Sequence, residues 1–371
     1  MKLEVSRKEL FTAVQEVKSQ VSGRSTLPIL ANVCLRAVDS TLQVTTTDLE
    51  GWLQVYVPCQ VAEEGAFTLP CRLLEQMLKG ESDTVELDGP KPDSDELTIT
   101  SAEDSVSLRG LPAEEYPSFP KKQGDHVFTC ESAVLRQWLE RVLFAASTDE
   151  TRAILNGVCF GEEDGMLRLT VTDGYRLASV ETDIRAKIAK DEAGRQEIII
   201  PARLLSRLHK LLPKKGANGI DMYRSENQVF LAWPGHCLVS RILEGTFPAF
   251  RKVVWKSDYI EAIGYVNRPA LVKALKKLKP VAAAEADKIV FCWNGNLELR
   301  ASSCDYGAAK MVLSCRYHGD PMDIAFNAGY LLDALESIPD EQIAIQMQDY
   351  LKPVKIEAAH SLNVIAPVQV S

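Results

Sequence analysis

The feature that most constrains this chain is an internal repeat that covers most of its 371 residues. Ile29–Leu35 (ILANVCL) reappears as Ile154–Phe160 (ILNGVCF), and Thr47-Asp48 reappears as Thr172-Asp173, both at an offset of roughly 125 residues. Matches at an offset of roughly 131 residues join Leu69–Leu74 to Ile200–Leu205 and Tyr116–Phe119 to Phe247–Phe250. Because the matches keep their order along the chain, they indicate tandem structural units.

A third copy of the repeat is fainter. Ile289–Ala301 stands where an alternating strand pair belongs, and Phe326–Leu332 stands where a helix belongs. We therefore predict three domains of roughly 120 residues, each large enough to bury its own core. Their expected bounds are residues 1–124, 125–254 and 255–371.

Hydrophobic periodicity predicts the same plan for each half of a domain. An alternating strand at Lys2–Val5 leads into a helix that Ser6 caps and Gly23 ends, and three alternating strands follow. A second helix begins near Pro70 and is again followed by three strands. The sequence thus predicts an α+β fold in which each domain consists of two strand-helix-three-strand halves. The remaining helices are expected near Ser132–Ala146, Pro201–Leu212, Arg268–Lys279 and Asn327–Ile338.

Composition is that of a soluble globular protein, with 46% hydrophobic and 25% charged residues. There is no apolar run long enough to span a bilayer, and the N-terminus lacks the apolar core of a signal peptide. We expect a cytoplasmic protein with no membrane contact. The nine cysteines are scattered without a CxxC pair, so they are interpreted as small buried hydrophobes in a reducing compartment. No metal or cofactor is predicted.

Basic residues recur on the predicted helices although the net charge is −9. A basic stretch on one helix is usually only a solvated face. Its recurrence on equivalent helices favours a shared surface for a polyanion that is contacted through its phosphates, without base reading. The candidate DNA-binding residues on these helices are Arg72, Lys79, Arg136, Arg203, Arg207, Lys210, Lys273, Lys276 and Lys277.

The sequence carries no recognisable catalytic constellation. It lacks a phosphate loop, a dinucleotide fingerprint, an HExxH zinc motif and a GxSxG elbow, and its five histidines are dispersed. Asp48, Asp173 and Asp305 lie at strand ends, where aspartate commonly builds turns. Asp320 and Asp323 are the alternative for a metal pair. A non-catalytic binding module is favoured, and a metal-dependent nuclease that uses Asp173 remains the alternative.

Six short segments occur together in one order along the chain. They are Arg24–Leu30 (RSTLPIL), Thr47–Glu50 (TDLE), Leu155–Gly157 (LNG), Thr172–Ala178 (TDGYRLA), Phe247-Pro248 and Phe326-Asn327. Together they resemble the bacterial DNA polymerase III beta subunits, the replicative sliding clamps. The resemblance covers essentially the whole chain.

This resemblance implies a head-to-tail homodimer that closes into a ring of six domains, with helices lining the hole. The function it implies is that of a DNA polymerase processivity factor that encircles duplex DNA without sequence preference. Arg24 matches a position at which clamps touch the duplex, and its alternative is an exposed loop arginine. The implied partners are the replicative polymerase catalytic subunit, the clamp loader, and repair and translesion polymerases.

The resemblance also implies a pocket that takes short linear motifs from these partners. An apolar concavity with a few polar groups suits this task. Ordinary core packing is the alternative for Leu155, Leu177 and Val253. Carried over by motif, the pocket residues are Leu155, Thr172, Gly174, Tyr175, Arg176, Leu177, Pro248, Val253, Asn327, Tyr330, Ile365, Ala366, Pro367 and Val368.

The chain departs from the family pattern in two places. Its tail, Ala366–Ser371 (APVQVS), replaces a Met-Pro-Met-Arg type ending, and Lys252 stands where an arginine is common. The motif preference of the pocket is therefore expected to differ. For ring closure, the candidates are Val106 and Leu108 in the first domain, with ordinary edge-strand residues as the alternative for these two, and Leu275 and Leu278 in the third. A monomeric peptide-binding scaffold is the remaining functional alternative.

Overall fold

A computed structural model describes residues 1–21, 27–80, 82–90, 94–102, 104–190, 194–252, 254, 259–358 and 360–369. The first repeat contains β1 (Lys2–Ser6), α1 (Arg7–Val17), β2 (Asn32–Val38), β3 (Thr41–Thr47), β4 (Gly51–Glu63), β5 (Gly65–Pro70), α2 (Cys71–Met77), β6 (Thr84–Asp88), β7 (Glu96–Ser101), β8 (Asp104–Arg109) and β9 (Leu111–Pro112). The second contains β10 (Asp125–Glu131), α3 (Ser132–Val142), β11 (Gly157–Glu163), β12 (Met166–Thr172), β13 (Arg176–Arg185), β14 (Glu197–Pro201), α4 (Ala202–Leu211), β15 (Gly219–Arg224), β16 (Gln228–Trp233) and β17 (His236–Arg241).

The third repeat contains β18 (Ala262–Asn267), α5 (Arg268–Ala282), β19 (Lys288–Asn294), β20 (Asn296–Ser303), β21 (Gly307–Leu313), β22 (Cys315–His318), β23 (Met322–Asn327), α6 (Ala328–Ser337), β24 (Gln342–Met347), β25 (Val354–Ala358) and β26 (Ser361–Ile365). Each repeat is thus a strand, a helix and three strands, used twice. The predicted α+β plan is confirmed, with β9 and β22 as additions.

Strands run directly into helices because the last strand residue also caps the helix. Ser6 Oγ accepts a hydrogen bond from Glu9 N (3.4 Å) at the start of α1. Asn267 Oδ1 accepts from Ala270 N (3.0 Å) at the start of α5. These caps satisfy backbone donors that a helix start leaves unpaired. α1 ends at Val17 and a short 3-10 turn follows, whereas the predicted stop at Gly23 lies outside the described residues.

The chain divides into two compact units, and the division cuts through the middle repeat. Unit 1 consists of Met1–Val134 and Arg207–Ile242, and unit 2 consists of Leu135–Ser206 and Leu243–Ser371. In unit 1 one sheet includes the order β10-β15-β16-β17-β4-β1-β6-β7-β8, with β2, β3, β5 and β9 joined to it. Antiparallel pairing of β17 with β4 makes this sheet continuous between the first and second repeats.

In unit 2, strand pairing likewise joins the other half of the middle repeat to the third repeat. Its larger sheet has the order β14-β11-β12-β13-β26-β25-β24-β18-β22, in which β13 pairs with β26 of the third repeat. A smaller sheet has the order β21-β20-β19-β23. Residues of α5 and α6 pack with both sheets in one apolar core that includes Leu271, Phe291, Phe326 and Leu335.

Six of the nine cysteines match the prediction of buried thiols, whereas Cys59 and Cys315 are half-buried and Cys304 is exposed. All nine are free. Burial raises the pKa of the Cys34 thiol to about 11 and that of Cys71 to about 12, which keeps both thiols protonated and poorly reactive at neutral pH. None of the helices within the described ranges has the length and apolar composition that crossing a bilayer requires.

His236 joins the sheet of unit 1 to helix α1. Its Nε2 lies 2.9 Å from Glu16 Oε2, and its Nδ1 lies 2.8 Å from the carbonyl oxygen of Pro234. Only the doubly protonated imidazolium can donate to both acceptors at once. Burial by itself lowers the pKa of His236, but the hydrogen bonds to Glu16 and Pro234 outweigh burial, and the net effect raises the pKa above 6.5.

A pH-dependent stability follows from this contact. We expect His236→Gln to lower the free energy of unfolding by about 1.5 kcal/mol at acidic pH. Because the folded-state pKa is raised, the difference from the unsubstituted protein is full below pH 6.5 and declines as the pH rises through the folded-state pKa. Urea unfolding across this pH range measures this difference in unfolding free energy. His318→Gln, at an exposed histidine, is the control, and an equal, pH-independent loss in both variants would refute the assignment.

Candidate functional site

The turn between β12 and β13 organises the predicted pocket residues. Thr172 Oγ1 accepts a hydrogen bond from Gly174 N (3.1 Å) and donates one to Arg176 O (2.7 Å). Asp173 Oδ1 accepts from the backbone N–H groups of Tyr175 (2.8 Å) and Arg176 (2.9 Å). Gly174 adopts a φ of +93°, which favours glycine. Thr172 and Asp173 therefore shape the turn from within.

The equivalent turn between β3 and β4 has the same hydrogen bonds. Thr47 Oγ1 accepts from Leu49 N (2.9 Å) and donates to Gly51 O (2.7 Å). Asp48 Oδ1 accepts from the backbone N–H groups of Glu50 (3.2 Å) and Gly51 (3.0 Å). Threonine and aspartate side chains commonly bond to the backbone two residues on. The prediction that Asp48 and Asp173 build turns is confirmed.

In the third repeat a serine takes the place of the threonine. Ser303 Oγ accepts from Asp305 N (3.1 Å) and Tyr306 N (3.3 Å). Asp305 is therefore part of the turn, as predicted. Cys304 follows Ser303 in the position that corresponds to Asp48, so the turn has no aspartate there to accept backbone N–H groups. This difference helps to explain why the third copy is faint in the sequence.

Arg176 is held from three directions. Its Nε donates to Asp173 Oδ2 (3.1 Å), and its Nη1 donates to Asp333 Oδ2 on α6 (2.6 Å). Its guanidinium carbon lies 4.6 Å from the ring centroid of Tyr330 and 5.4 Å from that of Phe144. A guanidinium with these partners has a fixed orientation. Asp333 and Phe144 are not among the residues predicted from sequence, although Asp333 follows Tyr330 by three positions and so lies on the same helix face.

The C-terminal tail is joined to this turn by backbone hydrogen bonds. Beyond the pairing of β26 with β13, Ala366 N donates to Tyr175 O (2.8 Å) and Val368 N donates to Ala325 O (2.8 Å). The turn and the tail therefore present one continuous surface. This turn–tail surface comprises Gly174, Tyr175, Arg176, Tyr330, Ala366, Pro367 and Val368.

Two tyrosines form the aromatic part of the turn–tail surface. The Tyr175 and Tyr330 rings stack with their centroids 6.1 Å apart and their planes at 21°. Tyr175 is 58% exposed, so most of its side chain faces solvent. Asn327, a predicted pocket residue, instead caps α6: its Oδ1 accepts from Tyr330 N (3.0 Å) and its Nδ2 donates to Ala286 O (2.9 Å). Its side chain is occupied by these structural bonds.

Several other predicted pocket residues are buried or half-buried. Leu177 and Ile365 are 4% and 0% exposed and pack in the interior of unit 2, so we correct them to core residues. Thr172 is also buried, and Leu155 is half-buried. Pro248 is exposed, and it lines a concavity of about 350 Å³ together with Phe247 and Phe250. Val253 and the side chain of Lys252 lie outside the described residues.

The candidate DNA-binding residues fall into three groups. Exposed side chains on or next to helices α2, α4 and α5 are Arg72, Lys79, Arg203, Lys210, Lys273 and Lys277. Lys276 is exposed but forms an ion pair with Glu336 (2.6 Å), and Arg136 is half-buried. Arg207 is a correction, because its Nη1 donates to Asp48 Oδ2 (3.0 Å) and to Gln20 Oε1 and its side chain is only 14% exposed. Arg24 lies outside the described residues.

The dimer candidates also need correction. Leu108, Leu275 and Leu278 are 6%, 0% and 1% exposed, so they pack within their own units. Helical spacing placed both α5 leucines on the face that packs in the core, which the sequence analysis did not recognise. Val106 is 37% exposed on β8, at the end of its sheet. The sequence analysis missed β21, which also ends a sheet and leaves Val312 56% exposed.

Within the described ranges, no group of three or more His, Cys, Asp or Glu side chains is placed to hold a metal ion. For the alternative metal pair, the carbonyl of Asp320 accepts a bond from the Tyr317 hydroxyl (2.5 Å), and Asp323 lies 3.9 Å from Arg300.

Comparison with known proteins gives consistent matches along the whole chain. The sequence matches the DNA polymerase III beta subunit family in three consecutive segments: the N-terminal domain over residues 1–120, the central domain over 129–249 and the C-terminal domain over 260–368. A beta sliding clamp from Synechocystis sp. is 30% identical, with 95% of each chain covered.

Two solved structures show the same fold over the full length of both chains. The DNA polymerase sliding clamp from Bacillus subtilis superposes with a TM-score of 0.92 at 24% identity, with 100% of each chain covered. A sliding clamp from Bartonella birtlesii, bound to griselimycin, superposes with a TM-score of 0.91 at 27% identity, again with 100% of each chain covered.

The Asp173–Arg176 contact predicts a stability effect. We expect Asp173→Ala to lower the free energy of unfolding by about 3 kcal/mol, because it removes the acceptor of two backbone bonds and leaves Arg176 with half its ion pairing. Asp349→Ala is the matched control: Asp349 Oδ1 also accepts two backbone bonds, but in an exposed turn. We expect about 1 kcal/mol there. Urea unfolding compares the two, and similar losses would contradict a special role for the ion pair.

Proposed function

The chain belongs to the DNA polymerase III beta subunit family, and on this premise we propose that it is a processivity factor, a sliding clamp that encircles duplex DNA. The observation that carries the proposal is the run of three consecutive clamp domains, which together span nearly the whole chain. We place the domain bounds at residues 1–124, 125–254 and 255–371. Such a protein is a non-catalytic subunit of the polymerase holoenzyme, works in the cytoplasm and needs no cofactor.

Exposed cations on the helices are the proposed contacts to DNA. Lysine and arginine side chains that neutralise phosphates bind any sequence, and such binding weakens as salt rises. A clamp must move along DNA, so many weak phosphate contacts serve it better than tight binding at one site. The proposed set comprises the exposed Arg72, Lys79, Arg203, Lys210, Lys273, Lys276 and Lys277, together with the half-buried Arg136 and with Arg24, which lies outside the described residues. Arg207 is left out because its side chain is only 14% exposed and is bound to Asp48 and Gln20.

Two strands at sheet ends support closure of a head-to-tail homodimer ring. β8 and β21 each end a sheet and present unpaired backbone groups on one side. Val106 on β8 and Val312 on β21 add exposed apolar side chains. Antiparallel pairing of β8 in one protomer with β21 in its partner would satisfy both edges. A head-to-tail contact of this kind generates a closed ring when its rotation closes.

Partners are proposed to bind the turn–tail surface through short linear motifs. The stacked tyrosines offer an apolar and aromatic platform, and Arg176, paired with Asp173 and Asp333, holds the Tyr330 ring in place. Large aromatic side chains at such sites carry much of the binding energy. The partners are the replicative polymerase catalytic subunit, the clamp loader, and repair and translesion polymerases. A relative's ability to bind griselimycin is consistent with a ligand site on clamps of this family.

Topological binding is the first prediction of this proposal. We expect protein loaded onto nicked circular DNA, with a clamp loader and ATP, to stay bound until the circle is cut and then to be lost. Val106→Asp should reduce retention on the intact circle at least about tenfold, because it places a charge in the proposed interface. Met166→Asp is the control, since Met166 is equally exposed at 37%. Retention that survives linearisation would mean direct affinity and would overturn the ring.

Peptide binding at the turn–tail surface is the second prediction. We expect Tyr175→Ala to weaken binding of a fluorescently labelled polymerase peptide by about tenfold, measured by fluorescence anisotropy. Tyr350→Ala is the control, because Tyr350 is 55% exposed and Tyr175 is 58% exposed. Because the clamp loader is proposed to bind the same surface, Tyr175→Ala should also reduce loading onto circular DNA, whereas Tyr350→Ala should not. Equal affinities for the peptide would exclude Tyr175 from the pocket.

A further inference from the structure

A second concavity lies in unit 1, on the face of the sheet opposite α1. Its volume is about 560 Å³, within the range of ligand sites. The strand residues that face it alternate with core residues such as Leu35, Val44 and Leu53, which face the other side. Its floor consists of two cross-strand rows: Cys34, Thr45 and Gln54 form one, and Arg36, Gln43 and Tyr56 form the other.

One wall of this concavity is the segment 116–122. The Tyr116 hydroxyl donates to Asn32 O (3.3 Å) and accepts from Thr47 N (3.2 Å), which fixes the start of the segment against the sheet. At its other end, Lys122 Nζ lies 3.7 Å from the ring centroid of Tyr223. The wall is therefore held at both ends. The space between this wall and the floor is named the Arg36 concavity.

The Arg36 concavity is positively charged in a protein whose net charge is −9. Arg36, Lys121, Lys122 and His236 line it, and none of the described residues that line it is an aspartate or glutamate. The ion pairs found in the described part of the chain do not involve Arg36, Lys121 or Lys122. His236 is not counted among the free cations, because its imidazole is hydrogen-bonded to Glu16 of α1. The three cations therefore point to an anionic ligand.

The repeat supplies a comparison for this charge. In unit 2 the corresponding concavity is lined by Cys159, the counterpart of Cys34, and by Phe247 and Phe250 from the segment that corresponds to 116–119. There Glu163 forms ion pairs with Arg168 (2.5 Å) and Arg251 (2.9 Å). The same architecture thus exists with its cations neutralised. Positive charge therefore distinguishes the Arg36 concavity from its described counterpart in unit 2 and does not follow from the shared architecture.

We propose that the Arg36 concavity binds an acidic peptide segment of a partner protein. Carboxylates of the segment pair with Arg36, Lys121 and Lys122, and an apolar side chain packs against Tyr56 and Phe119. Gln43 and Gln54 offer amide groups to the peptide backbone. A volume of about 560 Å³ suits a short peptide segment. The site shares no residue with the turn–tail surface, so the test of this proposal does not depend on whether peptides bind there.

Fluorescence anisotropy with a defined probe tests this site. The probe is fluorescein-labelled Asp-Glu-Asp-Phe-Glu-Asp-Glu, and its neutral counterpart is Asn-Gln-Asn-Phe-Gln-Asn-Gln. We expect the full-length protein to bind the acidic probe at low salt and the neutral one at least about tenfold more weakly. The double variant Arg36→Glu/Lys121→Glu should lose at least about tenfold in affinity for the acidic probe. If it fails to fold, Arg36→Gln/Lys121→Gln should lose about fivefold.

The control variant carries the same change of net charge elsewhere. Lys187→Glu/Lys190→Glu replaces two exposed lysines in unit 2 and should bind the acidic probe as the unsubstituted protein does. An equal loss in this control would show attraction by overall charge and overturn the proposal, as would absence of binding at low salt. Fluorescein-labelled oligothymidylate is the third probe: tighter binding of it, lost in the Arg36 variants, would assign the concavity to single-stranded nucleic acid instead.

Discussion

Two carboxylates in the interior of the protein hold much of this architecture together. Asp48 and Asp173 each end a strand, each fold the chain back through two backbone hydrogen bonds, and each are about nine-tenths buried at the side chain. A charge with so little contact with water must be paired, because an unpaired one costs several kcal/mol. Arginines meet this requirement in both turns, and the positions of those arginines decide what surrounds each turn.

In the first repeat the cation comes from far along the chain, since Arg207 lies on α4 of the middle repeat. This contact and the pairing of β17 with β4 tie that half of the middle repeat into unit 1. In the second repeat the cation is Arg176, three residues after Asp173. Arg176 Nη1 also donates to Asp333, and its guanidinium lies over the Tyr330 ring, so the turn also fixes part of α6. The interactions of Arg176 thus both neutralise the buried Asp173 and shape the turn–tail surface.

The order of helices and strands could be predicted from the sequence, because hydrophobic periodicity and helix capping are local properties. The strand-helix-three-strand halves and the turn role of Asp173 follow from alternation, helix-capping residues and short-range hydrogen bonding. Long-range pairing was not accessible in this way. The sequence around Arg207 does not show whether its side chain is bound to Asp48 or solvated. Likewise, the spacing of Leu275 and Leu278 is the same whether their helix face packs in its own core or against a partner. The division of the middle repeat depends on strand pairing between repeats, which periodicity does not encode.

The two turns differ in how far they can be separated from their surroundings. Thr172–Arg176 contains both the carboxylate and its counter-ion, together with the backbone groups that the carboxylate binds. Recombination or loop grafting would move Asp173 together with its counter-ion, although the bond from Arg176 to Asp333 would be lost. Thr47–Gly51 cannot be moved in this way, because its counter-ion is encoded roughly 160 residues downstream. A transplanted copy of the second turn would keep the charge of its aspartate balanced, and a transplanted copy of the first would not.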